Sequence, residues 1–312
     1  LSAVRTVLHP HAFSSPRLKQ IQAQFTVGRG LLFRLGTGSY GFVAQVPPLL
    51  LILCQIAPWV DRWRTSWVSR ETASLKALGE LESLVSLAQF AFEQPKATYP
   101  TLVEDSVCYE ATGLGHPLIP ESDRVSNDLC LNASLQLLLV SGSNMSGKST
   151  MLRTVGVNAV LALSGGPVCA EKMQISPLRI GTAMRFQDSL EHRTSHFFAV
   201  ITRLHAVMQL LDQDRPLLFL IDEILQGTNS RDREIGAEAV VRRLVDSGAL
   251  GLVTTHDLEL TKIIDTLDGR GANVHFVDRI VDGEIEFDYR MRPGVVQTSN
   301  AIALMRKLGL DV

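Results

Sequence analysis

The chain has 312 residues, 46% of them apolar, enough for one large core or two smaller ones. A formal net charge of −2 excludes a global basic field, so any contact with nucleic acid has to come from a local patch. Cys54, Cys108, Cys130 and Cys169 stand far apart with no CxxC pair, which argues against a disulfide scaffold or a zinc site and fits a reducing, cytoplasmic compartment.

Residues 1–41 are mixed in character and glycine-rich towards their end, which reads as a loose or incomplete piece. The chain starts at Leu1 without a methionine and shows no recognisable signal peptide, so a missing N-terminal part is expected. Next comes the strongly apolar stretch FVAQVPPLLLILCQIAPWV at 42–60, interrupted by Gln45, Pro47, Pro48, Gln55 and Pro58. Its clean run from Leu49 to Cys54 falls short of the roughly 20 apolar residues a spanning helix needs, so a buried helix is the favoured reading and membrane association the alternative. From about 49 to 93 the pattern is helical, with Leu75, Leu78, Leu81, Leu84 and Leu87 forming a drifting stripe and Pro95 and Pro100 ending it.

Residues 101–134 read as short strands and turns. From 135 onward buried strands alternate with helices. LQLLLVSG, PLLFLIDE and ALGLVTTH are the strands, separated by the helix KSTMLRTVGVNAVLALSG and by helical stretches at about 191–212 and 231–247. Continuous apolar strands alternating with helices predict an α/β fold with a mainly parallel sheet covered on both faces. NVHFVDRIVDGEIEFDYRM adds two strands joined at Asp282-Gly283, a hairpin signal. The expected division is a helical segment over 1–100, itself incomplete, and an α/β domain over 101–312.

Three elements carry chemistry. Gly142, Gly147, Lys148 and Ser149 satisfy the phosphate-loop pattern G-x-x-x-x-G-K-S/T, between an apolar strand and a helix as the mechanism demands. The glycines let backbone N–H groups turn towards phosphates, Lys148 places a charge near the β and γ oxygens, and the Ser149 hydroxyl can ligate Mg²⁺. Gly142, Ser143, Asn144, Met145, Ser146, Gly147, Lys148, Ser149 and Thr150 are therefore the expected ATP-binding stretch. Asp222 and Glu223 end the strand LLFLI, where Asp222 can bind the Mg²⁺ or its water and Glu223 stands where a base polarises an attacking water. His256 follows a third strand at the same sheet edge and reads as a γ-phosphate sensor. LSGG at 163–166 is similar to the motif that opens a helix in ABC-type ATPases, but here it closes the helix after Lys148 and reads as a helix stop.

Together these residues resemble the ATPase domain of the MutS family of DNA mismatch-repair proteins, in a divergent bacterial branch. GSNMSGKST looks like the family's GPNMGGKST loop, DEILQGTNSRDRE like its DEIGRGTS-type acidic motif, and LVTTHDLEL like its ATHY-type histidine loop. GHPL at 115–118, VSND at 125–128 and DSLEHRTSHFFAVI at 188–201 match further short motifs, so the likeness runs from about 106 to 308 and back through the helix at 74–93. The resemblance implies a P-loop NTPase fold of the ABC/MutS type, with ATP and Mg²⁺ as cofactors, and a homodimer acting on DNA. It implies that Asn144 touches the phosphates or the attacking water, alongside Lys148, Glu223 and His256 in catalysis. Ser195 corresponds to a serine that reaches the partner's nucleotide in trans. Thr228, Asn229 and Ser230 would lie beside the subunit boundary, and the C-terminal SNAIALMRKLGL would help hold the dimer. Where the family often stacks an aromatic on adenine, three positions before Asn127, this chain has Arg124, which can itself stack on a base. The family's mismatch-reading Phe-x-Glu motif occurs nowhere in these residues. The competing function is a membrane-tethered regulatory ATPase of the same fold that does not act on mismatches; a non-hydrolysing scaffold and a small-molecule kinase fit the intact site residues less well.

Overall fold

The computed structural model describes residues 61, 75–184, 196–281 and 284–296. The chain divides into two units at Phe90/Ala91. In the first, residues from 75 are helical, in a helix (α1) that runs on to 93 and stops just before Pro95. Leu75 and Leu84 of the leucine stripe are exposed while Ala77 is buried, as expected of a stripe that drifts around the helix. Among the described residues no helix is long and apolar enough to cross a membrane. The apolar stretch 42–60 lies outside the described residues, as do the C-terminal SNAIALMRKLGL and Ser195.

The second unit is built on two sheets. A small sheet has the order β1 (Thr101–Leu102), β5 (Lys172–Ile175), β2 (Cys108–Leu114) and β3 (Asn127–Asn132). The large sheet has the order β10 (Glu284–Pro293), β9 (Gly271–Val281), β4 (Leu137–Ser141), β8 (Leu250–Thr255), β7 (Leu217–Ile221) and β6 (Arg179–Ala183). All its pairings are parallel except β9 with β10, whose antiparallel register starts at Val281 opposite Glu284, as the Asp282-Gly283 hairpin signal predicts.

Strands β4, β7 and β8 are buried along their whole length because both faces of the sheet are covered. Successive side chains point to opposite faces. Leu138, Val140, Leu218, Leu220 and Leu252 pack in one core with α2 (Lys148–Leu163) and the small sheet. Leu137, Leu217, Phe219, Ile221 and Val253 pack in the other with α3 (His196–Met208), α4 (Ser230–Asp246) and the 3₁₀ turn Leu258–Thr266. Helix α2 ends where the LSGG reading places a stop: Gly165 has a φ of 80°, and the Gly166 N–H donates to Leu161 O.

Two buried polar side chains fasten the small sheet to α2. The Tyr109 hydroxyl donates to Val155 O at 3.0 Å. The Asn158 amide donates to Gly115 O at 3.0 Å and accepts from Cys169 N–H at 2.8 Å. In the large sheet, Gly251 sits opposite Phe219, and a Cβ there would overlap the Phe219 carbonyl oxygen and ring. Gly251→Ala is therefore expected to destabilise the unit by about 1–3 kcal/mol through overpacking. A fall in the urea midpoint at constant slope checks this, and an unchanged midpoint would mean that the β7–β8 contact yields without cost.

Candidate functional site

The loop from Gly142 to Gly147 leaves the end of β4 and delivers the chain into α2. Its path needs left-handed backbone at Gly142 (φ 146°), Met145 (φ 69°) and Gly147 (φ 105°). A side chain at Gly142 would press on Phe276 O and Ser146 Oγ, and one at Gly147 on the Tyr289 ring. Gly147 caps α2 without a side chain, so the first-turn N–H groups have no side-chain acceptor and can face an anion. Ser143 Oγ and Ser146 Oγ are buried without a hydrogen-bond partner. Lys148 is only 5% exposed, and its ammonium donates to Gly142 O at 2.7 Å and Ser143 O at 2.6 Å. Burial pushes its pKa below the ordinary lysine value, against the pull of the Glu223 and Asp222 carboxylates.

Those carboxylates follow β7. The Asp222 N–H donates to Ala183 O at 2.8 Å, which holds the strand end against β6. Thr254, near the end of β8, ties the pair to its neighbour strand. Its hydroxyl donates to Asp222 Oδ1 at 2.6 Å and accepts from Glu223 N–H at 2.8 Å. Glu223 has a φ of 52°, a strained conformation for a residue with a side chain. His256 follows β8, with Nδ1 3.7 Å from Glu223 Oε1, a contact longer than a hydrogen bond.

These elements enclose a cavity of about 870 Å³. Of five non-glycine residues with left-handed backbone among those described, Met145, Glu223 and Tyr289 line it. Strain gathered at one cavity points to a functional site. His116 and Arg153 line it too; burial holds the His116 pKa below its usual value, aided by the nearby Arg153 and Arg124 charges.

Asn144, Met145, Gly147, Lys148, Ser149, Thr150, Asp222 and Glu223 thus meet at one cavity. Gly142, Ser143 and Ser146 shape the loop behind it, and His256 reaches it through Glu223. Arg124 does not line the cavity. Its guanidinium is drawn to Ile119 O, at 3.0 and 2.7 Å, and to Gln94 Oε1 at 3.2 Å. Phe276 on β9 and Tyr289 on β10 both line the cavity; Phe276 is buried, and Tyr289 is half-exposed with its backbone fixed by Asn127. The Asn127 amide donates to Tyr289 O at 3.0 Å and accepts from Met291 N–H at 2.7 Å, across the irregular register between Phe287 and Met291.

Sequence reasoning missed Thr254 and Tyr289. The threonine pair preceding His256 was visible, but its partner Asp222 is 32 residues away in sequence. Tyr289 carried no local signal at all.

The cavity joins hydroxyl and carboxylate oxygens, Ser149 and Asp222, of the kind that suit a hard divalent cation. Among the described residues no group of three or more His, Cys, Asp or Glu side chains could hold a metal alone. A magnesium ion would therefore share its shell with phosphate oxygens and water, which is its usual habit. The partnerless serine hydroxyls and the open helix start suit a phosphate chain.

A mainly parallel sheet with a glycine-rich loop, an acidic strand end and a third strand end around one cavity defines an α/β domain whose cavity lies at the carboxyl edge of the sheet, where open sheets of this kind bind ligands. Residues 138–311 match the family model for MutS domain V, and the chain belongs to the MutS family. It is 33% identical over 246 residues to the DNA mismatch repair protein MutS of Natronomonas pharaonis, covering 77% of this chain and 28% of that protein. It is 32% identical over 240 residues to Endonuclease MutS2 of Thermus thermophilus, covering 76% of this chain and 30% of that protein. The chain thus spans less than a third of the length of these curated relatives.

Proposed function

We propose that this chain is an ATP-hydrolysing motor whose site is completed in a homodimer and whose cycle drives a DNA transaction, with residues 101–312 as the motor domain. The observation that carries the reading is the meeting of the Gly142–Ser149 loop with Asp222 and Glu223 at one cavity. The loop and Lys148 hold the phosphates, and Ser149 and Asp222 hold Mg²⁺, which supplies charge neutralisation at the phosphate oxygens. Glu223 takes the proton of the attacking water, while His256 and Asn144 contact the γ-phosphate end. Ser195 reaches the nucleotide of the neighbouring copy.

DNA coupling is favoured over membrane tethering because the relatives are named for mismatch repair and for an endonuclease. Turnover of Mg-ATP, measured against protein concentration with and without duplex DNA, tests this. Activity per chain should rise with concentration and change when duplex is added. Mixing Ser195→Arg with Lys148→Ala chains should restore part of the activity, since one intact composite site can form. Flat activity per chain and no recovery on mixing would contradict a shared site, and no response to duplex would contradict the DNA coupling.

A further inference from the structure

The segment carrying Glu223 and the segment carrying His256 are joined next to the sheet and again farther out. Next to the sheet the joints are the Thr254 hydroxyl already described and the Ile224 N–H, which donates to Thr254 O at 3.4 Å. Farther out the joint is Arg233, in the first turns of α4. One guanidinium nitrogen of Arg233 donates to Asp257 Oδ2 at 3.1 Å, and another donates to the Thr228 carbonyl at 3.0 Å. Both charged side chains are largely covered, at 18% and 22% exposure.

Asp257 is anchored from other directions as well. Its Oδ1 accepts from Glu259 N–H at 3.1 Å, capping the 3₁₀ turn, and its own N–H donates to Thr255 Oγ1 at 3.0 Å. His256 is therefore a single residue between two pinned neighbours. One pin, Asp257, is held to the acidic loop by Arg233. A planar fork that donates in two directions suits this bridge, and a lysine ammonium on a flexible stem does not reproduce it.

We propose that Arg233 is a positioning residue for hydrolysis: by bridging Thr228 O and the Asp257 carboxylate, it fixes the separation between Glu223 and His256. The inference rests on the ATPase reading above. Arg233 touches no cavity surface, so it acts on turnover through the two loops and leaves nucleotide binding to the Gly142–Ser149 loop. A displacement of about 1 Å at a reacting centre costs on the order of 10²-fold in rate.

The test is steady-state hydrolysis together with Mg-ATP affinity for the wild-type chain, Arg233→Ala, Arg233→Lys, Asp257→Asn and the Arg233→Ala/Asp257→Asn pair. Arg233→Ala should lower kcat by about 10- to 100-fold while ATP affinity stays within about threefold. Arg233→Lys should recover only part of the loss. The double variant should cost no more than Arg233→Ala alone, because the two side chains act as one unit. A folded Arg233→Ala chain with wild-type kcat, or one that loses affinity and turnover in equal measure, would overturn the proposal. If the alanine variant does not fold, Arg233→Lys decides: wild-type kcat there overturns the proposal, and a loss of roughly threefold or more with intact affinity supports it. A wild-type chain without turnover would instead count against the ATPase reading, before any variant is compared.

Discussion

Replacing Glu223 by glutamine should leave Mg-ATP bound and remove turnover by about 10²–10⁴-fold, the usual cost of losing a general base. Glutamine has the same length and branching, so the hold on the backbone survives. The Glu223 N–H still meets the Thr254 hydroxyl, and the left-handed turn at φ 52° is unchanged. What disappears is the carboxylate that could accept a proton from water, which stands 3.7 Å from His256 Nδ1. Phosphate binding is carried by other groups, namely Lys148, the loop N–H groups and the start of α2. Removing a negative charge beside the phosphates should, if anything, tighten binding. A fluorescent ATP analogue titration beside a phosphate-release assay separates the two effects. Wild-type release from Glu223→Gln would remove Glu223 from the chemistry.

Such a test can be designed from the sequence alone because the phosphate loop and the acidic pair are local patterns. GSNMSGKST announces its backbone needs within nine letters, and strands β4, β7 and β8 show themselves as uninterrupted apolar runs because both faces are covered. Strand β6, RIGTA, is short, carries a charge and a glycine, and joins the sheet only by pairing with β7, so nothing in its own letters marks it. KMQI, which becomes β5, is equally silent and gains its place between β1 and β2 through pairing alone.

The parts of the site that were illegible are long-range for the same reason. Asn127 meets Tyr289 and Met291 across 162 and 164 residues, and Arg233 meets Asp257 across 24. Arg124 is short-range by contrast: its guanidinium donates to the Ile119 carbonyl, five residues back, a partner that the motif position alone does not reveal.

Replacing Lys148 by alanine should weaken Mg-ATP binding by about 10- to 150-fold, since hydrogen bonds to a charged group contribute about 1.5–3 kcal/mol and each 1.4 kcal/mol is tenfold. The same change should cost the ligand-free chain little. There the ammonium is buried against two backbone carbonyls, and burial lowers its pKa from the ordinary 10.5 despite Glu223 and Asp222 nearby. With the folded pKa below the unfolded one, the unfolded chain binds the proton more readily. The buried charge therefore costs stability at neutral pH, and stability rises as pH climbs from the lowered value towards 10.5. Alanine removes that cost and leaves Gly142 O and Ser143 O to water in the open cavity, two changes of opposite sign. ATP phosphates supply in the wild type the counter-charge that the empty loop lacks, and ligand binding to the folded state alone raises the melting temperature. Thermal melts with and without Mg-ATP, at neutral and alkaline pH, should show a large nucleotide shift and an alkaline gain for the wild type. Lys148→Ala should show a clearly smaller nucleotide shift and no alkaline gain from this residue, with a ligand-free melting temperature close to that of the ligand-free wild type. A nucleotide shift in the variant equal to the wild type's would mean that the phosphates are held without this lysine, and the loop's role as a phosphate cradle would fall with it.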